Sequence, residues 1–290
     1  MAFQRTRALW SLPNEHVTLG VSTFLTVRIN LTKGGRATKP DPAAILNRAL
    51  ELEASGVNIV EVQALPLSPV SGIPASDDEL PLLVPVVRKL NSELKLPISV
   101  VTVHSQTAHR VAGLGASIVH DFSGLAYDRL MAPTVNGTNS ALILGHMRGS
   151  PEQWSRMVPL TNLEEIVRHD FSASLLRADK SNVARQRIVL DPGLEHGKQG
   201  FENFNLLRNL SGLVPPAQGL QVTLAGKRFL TESIQASAEV RAAGLAVAAT
   251  LAVASGAHIL TVEDTRGVRQ VVDVMDRIYH DDLRNLPEDE

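Results

Sequence analysis

Ile188-Val189-Leu190-Asp191-Pro192-Gly193 puts an apolar run, one carboxylate and a turn into six consecutive residues. Three β-branched or aliphatic residues without polar alternation suit a strand buried on both faces, as in a parallel sheet. Asp191 ends that strand, and Pro192-Gly193 turns the chain. The same kind of unit recurs outward in both directions: Ala141–Gly145 upstream, Leu220–Leu224 and His258–Val262 downstream. Toward the N-terminus, Val17–Val27, Val57–Ala64, Ile98–Val103 and Ser117–His120 bring the strand candidates to eight.

Segments of helical period fill the gaps. Asp41-Pro42 reads as an N-cap with proline at the first helical position, followed by an apolar face of Ile45, Leu46, Ala49, Leu50 and Leu52 and a stop at Gly56. Thr161 and Glu164 form a capping-box pattern ahead of Leu163, Ile166, Val167, Phe171 and Leu175. Further helices are predicted over Asp77–Leu94, Gln106–Gly113, Phe204–Leu210, Ser233–Ser255 and Val268–Tyr279. Eight β-α units predict an α/β fold, a (β/α)8 TIM barrel, with an open doubly wound sheet as the alternative. The expected organisation is an N-terminal extension over 1–16, a single barrel domain over 17–280 and an acidic, solvated tail over 281–290.

The 290 residues carry 28 Lys+Arg against 30 Asp+Glu, a formal charge of −2, and 44% hydrophobic residues. That balance argues against a broad nucleic-acid surface, which needs clustered positive charge. With no cysteine there is no disulfide, thiolate zinc site or cysteine nucleophile. The composition is compatible with a cytoplasmic protein, which is the expectation. Residues 1–17 have no apolar run suited to a secretory signal. Ala242–Thr261 lacks charged side chains, but Ser255-Gly256 breaks it, so a buried helix followed by a buried strand is expected rather than a membrane span. Neither a phosphate-loop pattern nor a H-E-x-x-H spacing occurs, and no metal or cofactor is expected.

In such a barrel the chemistry sits at the C-terminal strand ends. Those ends carry Gln63, Thr102 and His104, His120 and Asp121, His146 and Arg148, Asp191, Lys227, then Glu263 and Asp264. Asp191 can accept paired N–H donors from a 2-amino-4-oxo heterocycle, or it can simply cap its own turn. Lys227 can bond a ring carbonyl, pair with Asp191 or lie in solvent. His146 and Arg148 can bind an anion, and Arg148 can equally brace a loop. Neighbouring strand residues alternate, so only one of His120 and Asp121 faces the mouth, and Glu263 and Asp264 do not face it together.

The chain resembles dihydropteroate synthases, barrels that join a pterin diphosphate to p-aminobenzoate. The resemblance runs in order over roughly Leu19 to Ile278, through Leu31-Thr32-Lys33-Gly34-Gly35, Ala54-Ser55-Gly56-Val57-Asn58-Ile59-Val60-Glu61-Val62, Val84-Pro85-Val86-Val87 and Ile98-Ser99-Val100. It continues through His120-Asp121-Phe122-Ser123-Gly124-Leu125 and His146-Met147-Arg148-Gly149-Ser150-Pro151. Its strongest pieces are Ile188 to Gly193, Gly197-Lys198 and Lys227-Arg228-Phe229-Leu230. It implies a small aromatic or heterocyclic, pterin-like substrate and makes a homodimer plausible, with Val268–Tyr279 and Ala242–Ala254 as candidate faces.

At the site the resemblance is uneven. It keeps two pterin contacts, Asp191 and Lys227. The pterin-contacting Asp of the third strand aligns with Val101, and the Asn of the fourth with His120. The second-loop Arg that serves the p-aminobenzoate and diphosphate region aligns with Ser68. The first-loop pattern with its diphosphate-holding Asn is lost around Leu25 to Asn30. A Gly-Phe pair near Asp191 becomes Glu195-His196, the Ser-Arg before Lys227 becomes Ala225-Gly226, and the eighth-strand Arg and His align with Thr261 and Glu263. Removing cations and adding an anion near a departing diphosphate is unfavourable. The leading expectation is therefore a condensing enzyme with altered chemistry and no diphosphate displacement, in which His120, Glu263, Asp191 and Lys227 act and Asp191, Lys227, His146, Arg148, Glu195, His196 and Ser68 bind substrate. The alternatives are a non-catalytic ligand-binding relative, and a dihydropteroate synthase with anion contacts relocated to Arg28, Arg36 and Arg148.

Overall fold

In the computed structural model, which describes residues 6–32, 39–67, 70, 72–226, 229–232 and 237–279, eight parallel strands close on one another. They are β3 (Phe24–Asn30), β4 (Ile59–Gln63), β5 (Ile98–Val101), β6 (Ile118–Asp121), β7 (Ala141–Gly145), β8 (Ile188–Asp191), β9 (Gly219–Thr223) and β10 (Ile259–Val262), with β10 returning to pair with β3. The closed barrel, not the open sheet, is the fold. The helices are α1 (Pro42–Ala54), α2 (Ser76–Asn91), α3 (Ser105–Ala112), α4 (Met131–Thr138), α5 (Leu163–Lys180), α6 (Gly200–Arg208), α7 (Phe229–Glu232), α8 (Ala238–Ala254) and α9 (Val268–Tyr279). No described helix is long and apolar enough to cross a membrane.

Alternation along the strands sends some apolar residues out to the helices and others into the barrel. Leu25, Val27, Val119, Leu142, Leu144, Leu190, Val222 and Leu260 are buried and pack in one apolar cluster with helix residues such as Phe171 and Val272. Ile59, Ile118, Ala141, Ile143, Val189 and Ile259, at the N-terminal halves of their strands, form a second core with Trp10, Leu12 and Leu19. The latter three belong to an antiparallel hairpin, β1 (Ala8–Ser11) and β2 (His16–Leu19), that plugs the lower end of the barrel. Trp10 is fully buried there, and its Nε1 donates to the Arg187 carbonyl at 3.2 Å.

Several element boundaries differ from expectation, each for a local reason. The expected strand Val17–Val27 is two strands. At Gly20 the chain turns with φ +89° so close to the Thr6 carbonyl that a Cβ would sit 2.6 Å from it. Helix α6 starts before Phe204 because Gln199 and Glu202 cap it, with the Gln199 amide donating to Glu202 Oε2 at 2.6 Å. Helix α4 was hidden by Pro133 and Gly137, but Pro133 falls in the first turn, where a missing N–H costs nothing. The expected helix Ser233–Ser255 is described from α8 onward. Residues 233–236, the tail over 281–290, and Lys227, Ser68 and Arg36 among the anticipated site residues lie outside the described residues.

Candidate active site

A row of buried polar side chains crosses the barrel interior above the apolar plug. Arg28 and Glu61 are register partners on β3 and β4. The Arg28 Nε and Nη2 both reach Glu61 Oε1 at 2.7 Å. Glu61 Oε2 accepts from Ser99 Oγ at 3.1 Å and meets His120 Nδ1 at 2.8 Å. On the far side, His120 Nε2 faces Asp191 Oδ2 at 4.0 Å, too long for a hydrogen bond. Asp191 is held by Gly193 N on Oδ1 at 2.8 Å and by Thr223 Oγ1 on Oδ2 at 2.6 Å, with Gln221 Nε2 at 3.3 Å. Burial by itself would raise the Glu61 carboxyl, but the charges and hydrogen bonds of Arg28 and His120 outweigh it and hold Glu61 at about 2.

Strand alternation turns His120 inward to Glu61 and Asp121 outward to its own turn, so the two side chains part. The Asp121 carboxylate caps its own turn, accepting from Ser123 N at 2.8 Å and Leu125 N at 2.9 Å. Gly193 adopts φ +62°, and a Cβ there would come within 2.0 Å of the His146 carbonyl, so the turn after Asp191 needs glycine. Asp191 does cap that turn through Gly193 N, and it also keeps its second oxygen in the barrel.

Above this row lies a cavity of about 830 Å³ at the C-terminal strand ends, within the range of roughly 300–1,000 Å³ typical of small-ligand sites. Aromatic rings form part of its wall, beside charged and amide side chains such as Lys198 and Gln63. The His196 ring stacks on Trp154 at 5.3 Å, Phe122 meets His196 edge-on at 4.5 Å, and Phe204 meets Phe229 at 5.0 Å. Arg28 lies over the Phe122 ring at 5.3 Å and lines the cavity with it. Phe122 also contacts the His120 ring at 4.6 Å. His120 and Asp191 themselves are fully buried below that wall rather than exposed to the cavity.

The other anticipated residues divide. Glu195, His196 and Glu263 line the cavity. Glu195 has the left-handed φ of 64°. Its amide donates to Asn203 Oδ1 at 2.7 Å, and its Oε1 accepts from Phe229 N at 2.6 Å. These two bonds offset a backbone conformation that favours glycine, the residue the resemblance expects there. Glu263 is exposed at the mouth and accepts from Asn30 Nδ2 at 3.2 Å, whereas Asp264 turns away to Arg266. Asn30 closes β3, so an asparagine does stand at the first strand end, where the first-loop pattern was expected to be lost.

His146 and Arg148 do not line the cavity, which corrects their expected part in binding an anion. Arg148 pairs with the buried Glu202 at 3.2 Å and donates to the Val158 carbonyl at 3.0 Å, so it braces the loop after β7. His146 is buried with Nε2 3.0 Å from Asp170 Oδ2. Burial first, and the Lys198 charge second, lower its imidazole to about 4. Between about pH 6.5 and 5 the unfolded chain takes up a proton at this ring and the folded chain does not. Stability should therefore fall with pH across that window by about 2 kcal/mol. Urea unfolding of the wild type and His146→Gln at both ends of the window checks this, the variant lacking that share of the slope.

Glu61, Ser99, Trp154 and Lys198 were not among the anticipated site residues, although the resemblance runs through Glu61, Ser99 and Lys198. Lys198 Nζ donates to the carbonyls of His146, Gly193 and His196 at 3.0, 2.8 and 3.3 Å, tying the loops after β7 and β8 together. The available signal for Glu61 was a carboxylate inside the apolar run Ile59-Val60-Glu61-Val62, opposite Arg28 in a neighbouring strand.

A closed parallel barrel with a buried acid–base row beneath a cavity at its strand ends defines the chain as a TIM barrel with its candidate site where such barrels carry theirs. Comparison with known families narrows that class: the family described as "Pterin binding enzyme" matches residues 29–263, and the chain belongs to it. A dihydropteroate synthase of Mycobacterium leprae is 30% identical over 262 residues, covering 87% of this chain and 90% of the relative. One from Synechocystis is 28% identical, over 82% of each chain. Among solved structures, the Yersinia pestis dihydropteroate synthase with a sulfonamide drug aligns at a TM-score of 0.85 and 21% identity, over 93% of this chain and 98% of that one. The Burkholderia cenocepacia enzyme complexed with 7,8-dihydropteroate aligns at 0.84 and 23%, over 97% and 99%. At these identities the solved structures speak to the fold.

Proposed function

We propose that the chain is a dihydropteroate-synthase-type transferase that joins a reduced pterin diphosphate to an aromatic amine such as p-aminobenzoate. The observation that carries this reading is Asp191, fixed at the end of β8 with its carboxylate inside the barrel beneath a partly aromatic cavity. A carboxylate so placed matches the two adjacent N–H donors of a 2-amino-4-oxo ring. The relatives of the chain favour the synthase over the altered chemistry or the non-catalytic binder that the site substitutions suggest by themselves. Of the cations considered as relocated anion contacts, Arg28 lines the cavity, Arg148 is committed to Glu202 and Arg36 is outside the described residues. The test supplies the pterin diphosphate and p-aminobenzoate and measures both condensed product and released diphosphate. Product formation supports the reading; pterin binding without turnover of either substrate overturns it.

Glu263 favours altered chemistry as a second reading, because a carboxylate stands at the mouth where the resemblance expects a diphosphate-gripping histidine. Glu263→Arg is expected to tighten binding of the diphosphate ester about tenfold or more, since two units of charge change at about 4 Å in a water-like dielectric are worth about 2 kcal/mol. Calorimetry of the ester against bare pterin checks it. Affinity for the ester that does not change would place the diphosphate away from the eighth strand.

A further inference from the structure

The geometry points to Glu61 as the positioning residue of this site: with Arg28 against it, Glu61 turns the His120 imidazole so that Nε2 joins Asp191 in meeting the N–H edge of a bound pterin-like heterocycle. The inference rests on the pterin-directed reading above and names the group that prepares its floor. Each Glu61 oxygen has a separate task. Oε1 takes the Arg28 guanidinium, which leaves Oε2 for Ser99 Oγ and His120 Nδ1. Glu61 thus claims Nδ1 as a donor, and the ring atom left toward the barrel axis is Nε2.

The interior beyond that atom is polar and unsatisfied. Among the described residues, His120 Nε2, Gln221 Oε1, Thr26 Oγ1 and Thr261 Oγ1 are buried without a hydrogen-bond partner. Thr261 is the register partner of both Thr26 and Thr223, Thr223 and Gln221 both donate to Asp191, and His120 Nε2 faces the same carboxylate at 4.0 Å, so these side chains gather around Asp191. Buried polar atoms are rarely left unpaired, and four gathered around one carboxylate mark a place where a polar ligand edge is received. Arg28 and Phe122 connect this place to the cavity, since both line it and Phe122 packs on the His120 ring. An imidazole free to rotate would present either nitrogen; one held through Nδ1 presents a single, fixed Nε2 to the ligand.

The test uses the full chain with Glu61→Gln and Glu61→Asp, read by calorimetric affinity for pterin and by NMR of the histidine ring nitrogens, with His120 assigned by its loss in His120→Gln. The double variant Arg28→Met with Glu61→Gln removes both charges together and supplies a folded sample where the single variant does not fold. We expect Glu61→Gln, or the double variant, to weaken pterin binding by about tenfold or more and to move the His120 ring signals, and Glu61→Asp to restore affinity to within about threefold. A lowered melting temperature with unchanged affinity and unchanged His120 signals makes Glu61 an ion-pair partner only and overturns the inference. A wild-type chain that binds no pterin overturns the pterin reading instead. The ring signals then decide whether Glu61 holds His120, and signals unmoved in Glu61→Gln overturn that as well.

Discussion

Glu61→Leu is expected to lower the unfolding free energy by about 3–5 kcal/mol, the cost of stranding a buried charge whose partner has been removed. Arg28 is 7% exposed and His120 fully buried, and both lose their shared acceptor at once. Leucine fills the space but accepts no hydrogen bond, so the guanidinium is left in the barrel without its counter-charge. Removing Arg28 as well, in Arg28→Met with Glu61→Leu, should recover at least half of that loss, because replacing both members of a buried pair by apolar groups is far milder than replacing one. The pH dependence has a defined sign. The Glu61 carboxyl is near 2 in the folded chain against an ordinary 4.5. Its contribution is fully present above about pH 4.5 and lost as pH falls toward 2. Urea unfolding of the wild type and Glu61→Gln across that range checks both statements: the wild type should weaken in acid, and the variant should start weaker and lack this share of the fall.

Asp191→Asn is expected to weaken pterin binding, and with it any turnover, by about a thousandfold, roughly 4 kcal/mol. The carboxylate presents two acceptor oxygens: Gly193 N takes one lone pair of Oδ1, and Thr223 Oγ1 and Gln221 Nε2 both reach Oδ2. An asparagine keeps the shape and one acceptor but turns the other position into a donor. In either orientation that donor meets a donor already in place, Gly193 N or Gln221 Nε2, and takes an acceptor from the N–H edge of the heterocycle; a buried donor set against a donor costs the desolvation of both groups. Calorimetry with pterin, alongside a melting curve to confirm the fold, measures the effect. A loss under about tenfold would mean that Asp191 serves its turn and that the heterocycle is held elsewhere.

The barrel was legible because its signal is repeated: eight short apolar runs, each followed by helix-forming sequence, leave few alternatives. Asp191 was legible for a local reason, since a carboxylate ending an apolar strand before Pro-Gly has few positions open to it. The acid–base row was not, because its members come from β3, β4, β5, β6 and β8 and become neighbours only when the sheet closes. Glu61 and Arg28 are 33 residues apart in sequence and directly opposite in register. His146 and Arg148 misled for the opposite reason. Polar residues after a strand look like a mouth, but Asp170 and Glu202, supplied by α5 and α6, draw both away from it. Pro133 inside α4 likewise masked a helix that its position in the first turn permits.

The hairpin beneath the barrel also fixes the order in which the chain can finish folding. Trp10 waits for the Arg187 carbonyl 177 residues later, and the Thr6 carbonyl for the His258 ring 252 residues later. The hairpin is thus made well before its partners on β8 and β10, and closing such distant contacts is slow. Until β8 and β10 are made, Trp10, Leu12 and Leu19 have only part of the surface that will cover them. That interval, while the apolar residues of the hairpin lack part of their cover, is when the chain is most open to chaperones and to aggregation.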